Sequence, residues 1–240
     1  MENTMKSIEI IDAKNIDRLD VIGYSLAETY KIAFAGEPWN EVSRCDSVDC
    51  EVQFTDLESG CACLKCGLAL TEAYNTEELL LAWRQMIGDD DATLEASMNA
   101  QGDPTLATIV RPTTPDELFE RKYADVASMR TWLRNELPSK FVWIEDTFAN
   151  RNVSPSGNLK GRGATLGRIA TRYSGLMIAT RTLTPAIVAA TLRDVGSFSA
   201  VSVGSQSLDL RSDILSYARR LDTVPDRRTF LRIDSRADSR

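Results

Sequence analysis

The 240-residue sequence predicts an α/β fold of the α+β kind: one mixed central sheet flanked by helices, with a small cysteine-rich insertion. Three observations predict it. Strand-like and helix-like segments alternate in the order β-α-α-β-β-(α)-β-α-β-α-β-(α)-β, which is too irregular for a run of βαβ units and disfavours a doubly wound dinucleotide fold. All five cysteines fall within residues 45–66. An apolar strand, "FVWIEDTF", leads through a glycine-containing turn into an amphipathic helix and a further strand.

Taken in order, residues 7–12 (SIEIID) read as a first strand. Asn15 caps a helix carrying Ile16, Leu19, Ile22, Leu26, Tyr30 and Ala33 at close to helical spacing, and Gly36 and Pro38 end it. After the cysteine segment, a helix over 76–87 places Leu79, Leu80, Trp83 and Ile87 on one side. A hairpin follows, with strands at 93–100 and 105–110 joined by "QGD". Pro112 and Pro115 are expected to break the sheet before a polar helix over 115–135, which Pro138 closes. Residues 140–148 then have the apolar density of a buried strand. The next helix carries Leu166, Ile169, Ala170 and Tyr173 and stops at Gly175. Strands at 176–182, 198–203 and 228–233 and helices at 185–195 and 212–221 complete the pattern. A single domain over 1–233 is expected, with the insertion at 42–70 and a frayed tail at 234–240.

Composition narrows the chemistry. The chain has no histidine, which excludes Ser-His-acid triads, Cys-His dyads, HExxH zinc hydrolases and 2-His-1-carboxylate iron sites. Residues 1–120 hold 24 acids and 8 bases, and residues 121–240 hold 11 acids and 20 bases. An acidic half suits a cationic ligand and a basic half a phosphorylated one, although unevenly sampled surface charge gives the same numbers. No apolar run reaches the length of a membrane span, and the N-terminus lacks the form of a signal peptide, so a cytoplasmic protein is expected, with no membrane partner.

Lys160-Gly161-Arg162-Gly163-Ala164-Thr165-Leu166 opens the helix after the buried strand. The first N–H groups of a helix lack intrahelical acceptors and its dipole is positive there, so a glycine turn at that point can cradle a phosphate. It is neither a Walker A loop nor a GxGxxG dinucleotide turn. The segment from Phe141 to Phe198 resembles the core of the GNAT superfamily of N-acetyltransferases. That family's Q/R-x-x-G-x-G/A pattern matches residues 160–165, with Lys160 for Gln/Arg and Thr165 for the final small residue. "GLMIATRTLTPAIVAATLRDVGSF" is similar to the family's fifth strand, fourth helix and following Gly-x-Phe, and "TFLRI" to its closing strand.

The resemblance implies an N-acetyltransferase moving an acetyl group from acetyl-CoA to a primary amine by direct attack. Acetyl-CoA would lie where the family's fourth and fifth strands splay apart. Its pyrophosphate would sit on the N–H groups of Arg162, Gly163, Ala164, Thr165 and Leu166, with Lys160 and Gly161 shaping the approach. Backbone near Thr147, Phe148 and Ala149 would hold the acetyl carbonyl. Glu145 stands where a family general base commonly sits, with Asp146 on the opposite face; read without the family, Glu145 is a surface carboxylate at a strand end. The Tyr that usually serves as general acid is absent, because Leu192 occupies its place four residues before Gly196.

The cysteines form a C-x4-C-x10-C-x-C-x2-C pattern. Clustered thiols in a reducing compartment favour a metal over disulfides, and four thiolates make a closed, structural zinc site. Cys63 and Cys66, followed by Gly67, are a zinc-knuckle half. Cys45 and Cys50 are the second pair, with Cys61 as the spare or a substitute for Cys50. In "GEPWNE", Trp39 and Glu41 either wall an acceptor cleft for a cationic amine or belong to a helix-terminating turn. An alternative to catalysis is a non-catalytic scaffold whose zinc module binds a protein partner. Nucleic acid is disfavoured because residues 41–66 hold six acids and only Arg44 and Lys65 as bases. A monomer or homodimer is expected.

Overall fold

The computed structural model describes residues 7–36, 39–47, 50, 54–89, 91–124, 127–150, 152, 157–182, 199–202 and 229–234. The elements are β1 (Ser7–Ile11), α1 (Arg18–Ala35), β2 (Ser43–Arg44), β3 (Phe54–Thr55), β4 (Thr71–Glu72), α2 (Thr76–Asp89), β5 (Thr93–Met98), β6 (Pro104–Thr113), α3 (Pro115–Lys122), α4 (Ala127–Glu136), β7 (Phe141–Ala149), α5 (Gly157–Arg172), β8 (Ile178–Thr182), β9 (Ser199–Ser202) and β10 (Thr229–Asp234). Seven strands form one mixed sheet in the order β1-β5-β6-β7-β8-β10-β9, and β3-β2-β4 form a separate small sheet in the cysteine-rich insertion. Among the described residues of this sheet, only β7 and β8 pair in parallel. The expected mixed sheet flanked by helices is what the chain forms. The expected helices at 185–195 and 212–221, Pro38 and Leu192 lie outside the described residues.

Strand alternation sorts side chains between two layers. On one face α1 and α2 bury Leu19, Ile22, Leu26, Trp83 and Ile87 against Leu94, Ala96, Ala107, Ile109 and Phe148. Further along that face α3 and α4 pack Leu118, Phe119 and Leu133 onto Phe141 and Trp143. On the other face α5 sets Ile169 and Ala170 against Val110, Val142, Ile144 and Ile178. Leu19, Ile22, Leu26, Tyr30 and Ala33 are buried, as their spacing predicts.

Four local readings change. Asn15 does not cap α1; its Oδ1 accepts from Asp12 N at 2.8 Å and its amide donates to Ile10 O, so the helix starts at Arg18. Pro112 does not break the sheet. It lies within β6 opposite Val142, while β5 pairing ends at Thr93–Val110, so the missing N–H points beyond the end of β5 and costs no ladder bond. The polar stretch after Pro115 forms two helices, the first fixed by a capping box in which Thr114 Oγ1 accepts from Glu117 N and Glu117 accepts from Thr114 N. Finally, α5 begins at Gly157, before the glycine motif rather than at it. No helix among the described residues is long and apolar enough to cross a membrane.

Candidate active site and cysteine cluster

β7 is joined to β8 only at Val142–Ile178 and Trp143–Ala179. From Ile144 to Ala149 it runs on with no β8 partner among the described residues, while β8 pairs along its other edge with β10. The two strands therefore part and leave an opening along the second half of β7. Opposite that opening the β6–β7 ladder slips: Val110 faces Ile144 and Ile109 faces Asp146, so Glu145 is the extra residue of a β-bulge.

The bulge decides which backbone groups face the opening. Val142 N donates to Met177 O at 2.8 Å, so its peptide is turned toward β8. After the extra residue, Asp146 and Phe148 stand in register with Ile109 and Ala107, and Asn150 N donates to Thr105 O at 3.0 Å. Alternation then leaves the backbone of Thr147 and Ala149 on the open side. Of the three residues expected to hold an acyl carbonyl, Phe148 differs: its backbone faces β6 and its ring enters the aromatic core. The bulge also interrupts the strict alternation expected for Glu145 and Asp146.

Glu145 is not a surface carboxylate. Its side chain is 1% exposed and lies among three cations from β6 and α3. Arg111 Nε donates to Oε1 at 2.5 Å and Arg121 Nη1 to the same oxygen at 3.0 Å. Lys122 Nζ stands 3.0 Å from Oε2 as an ion-pair partner, off the line of a hydrogen bond. Arg111, itself only 8% exposed, depends on Glu145 to offset its burial. Sequence reasoning missed these cations, because only strand register brings Arg111 opposite Trp143, two residues from Glu145.

The glycine motif occupies the body of α5. From Gly161 onward, N–H groups have an acceptor four residues back, so the donors with no intrahelical acceptor belong to the turn that starts at Gly157. Gly161 has a packing reason to be glycine: a Cβ there would meet Leu106 Cδ2 at 3.0 Å. Leu106 pairs with Ala149, so this close approach sets the early turns of α5 beside the open end of β7. Thr165 departs from the small-residue pattern because its buried hydroxyl accepts from Arg168 Nη2 at 2.9 Å. Arg168 Nε in turn donates to Glu95 Oε1 at 2.5 Å. No acid lies in the first turn of α5.

In the insertion, the sulfurs of Cys45, Cys50, Cys63 and Cys66 all lie within 4.8 Å of one another. Cys45 Sγ is 3.5 Å from Cys66 Sγ and Cys50 Sγ is 3.6 Å from Cys63 Sγ. Four thiolates around one zinc stand about 3.8 Å apart, so the spacing fits a tetrahedral ion. Cys61 is exposed and outside the group. Gly67, at φ +76°, lets its N–H reach Cys63 O at 2.8 Å and closes the knuckle. The thiols perturb one another. Burial pushes Cys63 up, but the N–H groups of Cys66 and Lys65 and the Cys50 and Cys66 thiols bring it down to about 7. The Ser47 N–H favours the Cys45 thiolate, yet burial and the thiols of Cys66, Cys50 and Cys63 hold Cys45 at about 12. Four crowded sulfurs are not all stable as thiolates without a cation.

No protein-family model matches the sequence, and no curated protein matches it. Solved structures do match the fold. A Corynebacterium glutamicum protein named histone acetyltransferase HPA2 and related acetyltransferase superposes with a TM-score of 0.50 at 11% identity, over 95% of this chain and 96% of its own. A mosquito arylalkylamine N-acetyltransferase like 5b gives a TM-score of 0.50 at 11% identity, over 94% of this chain and 99% of its own. The chain has the GNAT fold. In GNAT terms β7 and β8 are the pair that the resemblance expects to splay, and the cysteine module interrupts the stretch between α1 and α2.

Proposed function

We propose that the protein is an N-acyltransferase that transfers acetyl from acetyl-CoA to a primary amine. The observation that carries this reading is the parting of β7 from β8 at a bulge, beside the N-terminal end of α5. The thioester carbonyl rests on the backbone N–H of Thr147 or Ala149, donors already aimed where negative charge develops. The neutral amine nitrogen attacks the carbonyl carbon and the C–N bond forms as the carbonyl electrons move to oxygen. The oxyanion then collapses, the C–S bond breaks with its electron pair on the CoA sulfur, and the proton released from nitrogen passes through solvent to that thiolate. The pyrophosphate binds the first turn of α5, in a stretch where the sequence also supplies Lys160 and Arg162. This moves the cradle one turn back from Arg162, Gly163, Ala164, Thr165 and Leu166. The acidic first half of the chain suits a cationic acceptor, and the names of the two neighbours, both acetyltransferases, agree with an amine. Zinc bound by Cys45, Cys50, Cys63 and Cys66 is structural, since four protein ligands leave no open position.

For Glu145 the geometry supports a scaffold role: it ties β7 at its bulge to β6 and α3. A general base must reach the proton it removes, and this carboxylate is enclosed by cations. A partner-binding reading has one observation in its favour. Leu64 and Leu68 project from the knuckle, 69% and 56% exposed.

Acetyl-CoA added to purified protein in a thermal-shift assay separates the two. At a hundred times its Kd, the acyltransferase reading predicts about 2.7 kcal/mol of stabilisation, sharply reduced in Asn158→Asp, which puts a carboxylate in the first turn of α5. Folded protein that shows no shift supports a non-catalytic scaffold instead.

A further inference from the structure

Glu41 and Tyr74 stand where the cysteine module joins the main sheet. β2 begins two residues after Glu41, and β4 ends two residues before Tyr74. The strands pair at Ser43–Glu72 and Arg44–Thr71, and Ala73 N donates to Val42 O at 3.2 Å. Glu41 and Tyr74 thus face each other at the foot of a short ladder, and the Tyr74 hydroxyl donates to Glu41 Oε2. The far end of that ladder is the cysteine quartet. Cys45 directly follows β2, and Cys63 and Cys66 lie on the segment that returns into β4. A pairing of two residues per strand is far too short to hold its own register.

A chain of rings ties this joint into the core packed against β7. Phe54 of the module stacks on Tyr74 with centroids 5.5 Å apart. Tyr74 meets Tyr30 edge-on at 4.9 Å, and Tyr30 meets Phe148 at 4.9 Å. Phe148 lies between Thr147 and Ala149, whose backbone groups face the opening. Trp39 packs on Phe34 at 5.5 Å in the same cluster. A carboxylate only 5% exposed, held by a phenol among aromatic faces, is the chemistry that receives an organic ammonium.

We infer that a metal ion held by Cys45, Cys50, Cys63 and Cys66 fixes the Glu41–Tyr74 pair as the wall of the amine site, and so sets acceptor binding without touching acetyl-CoA binding. The acceptor half of this inference rests on the acyltransferase reading; the mechanical half does not. The ion closes the loop between β2 and β4, and the closed loop holds Glu41 against Tyr74.

The test compares amide hydrogen exchange in zinc-loaded protein, chelator-stripped protein and stripped protein given zinc again. Cobalt loading reports the site through the visible bands of a tetrahedral thiolate complex. Stripping is expected to speed exchange at Glu41, Val42 and Ala73 at least tenfold, reversibly, with β7 and α5 unchanged. Unchanged exchange at those three amides, or a chain that takes up neither zinc nor cobalt, overturns the inference. Should stripping unfold the whole chain, reciprocity supplies the decision. Tyr74→Phe must then weaken zinc binding in competition with a chelator by about fivefold or more, while Cys61→Ser leaves it unchanged. Equal zinc affinity in wild type and Tyr74→Phe overturns the inference. With tyramine as the amine probe, the stripped or Tyr74→Phe protein should show a KM at least tenfold higher at an unchanged acetyl-CoA Kd. An unchanged KM removes the acceptor half. A zinc-loaded protein that fails to bind acetyl-CoA removes the acyltransferase reading and leaves the exchange result to judge the clamp.

Discussion

Glu145 shows how much a single residue's surroundings decide. Its position on "FVWIEDTF" matched that of a general base, but three cations enclose its buried carboxylate. Glu145→Gln removes the charge that offsets Arg111 in a site of low exposure, and loss of one partner of such a pair costs about 3–5 kcal/mol. A scaffold role therefore predicts a clear fall in Tm on calorimetric unfolding. A base role predicts an unchanged Tm and a rate loss that is smaller at high pH. Gly161 makes a comparable case. Its missing side chain admits Leu106, so Gly161→Val should cost about 1–3 kcal/mol by urea denaturation. Combined with Leu106→Ala, the loss should be smaller than the two single effects added together, because the second change vacates the space the first one needs. Full additivity would mean that the close contact is not what demands glycine here.

The elements themselves were largely legible, and the reasons differ from one to the next. α1 could be read from Leu19, Ile22, Leu26, Tyr30 and Ala33 because one apolar stripe on a long helix survives small errors at its ends. The β5–β6 hairpin was legible because Gln101, Gly102 and Asp103 supply turn chemistry, with Gly102 at φ +86°. Pro112 misled because a proline's effect depends on which side its nitrogen faces, and that is a property of sheet register. The start of α5 misled because Gly161 and Gly163 read as a turn, whereas both lie within the helix, where Gly161 leaves room for Leu106. The α3 cap gives a prediction at this scale: Thr114→Ala removes the acceptor for Glu117 N and should lower stability by about 1 kcal/mol, seen as a matching fall in the urea midpoint. An unchanged midpoint would show that Pro115 and the Thr113 and Glu117 contacts suffice to start the helix.

At the scale of the whole molecule, the sheet, the bulge and the thiol quartet make one arrangement. The spacing of the cysteines pointed to Cys45, Cys50, Cys63 and Cys66 but left Cys61 as a possible substitute for Cys50; the fold brings the first four together and leaves Cys61 exposed. Likewise "KGRGAT" marks the helix that became α5, while the opening beside it depends on where β8 leaves β7, a long-range fact no local pattern encodes. The central claim is that this opening holds an acyl-CoA. Amide exchange with and without acetyl-CoA tests it most directly. Protection is predicted along Ile144–Ala149, at Thr147 and Ala149 above all, and in the first turn of α5. Saturable binding that leaves both segments unprotected, or folded protein that binds no acetyl-CoA at all, would contradict it.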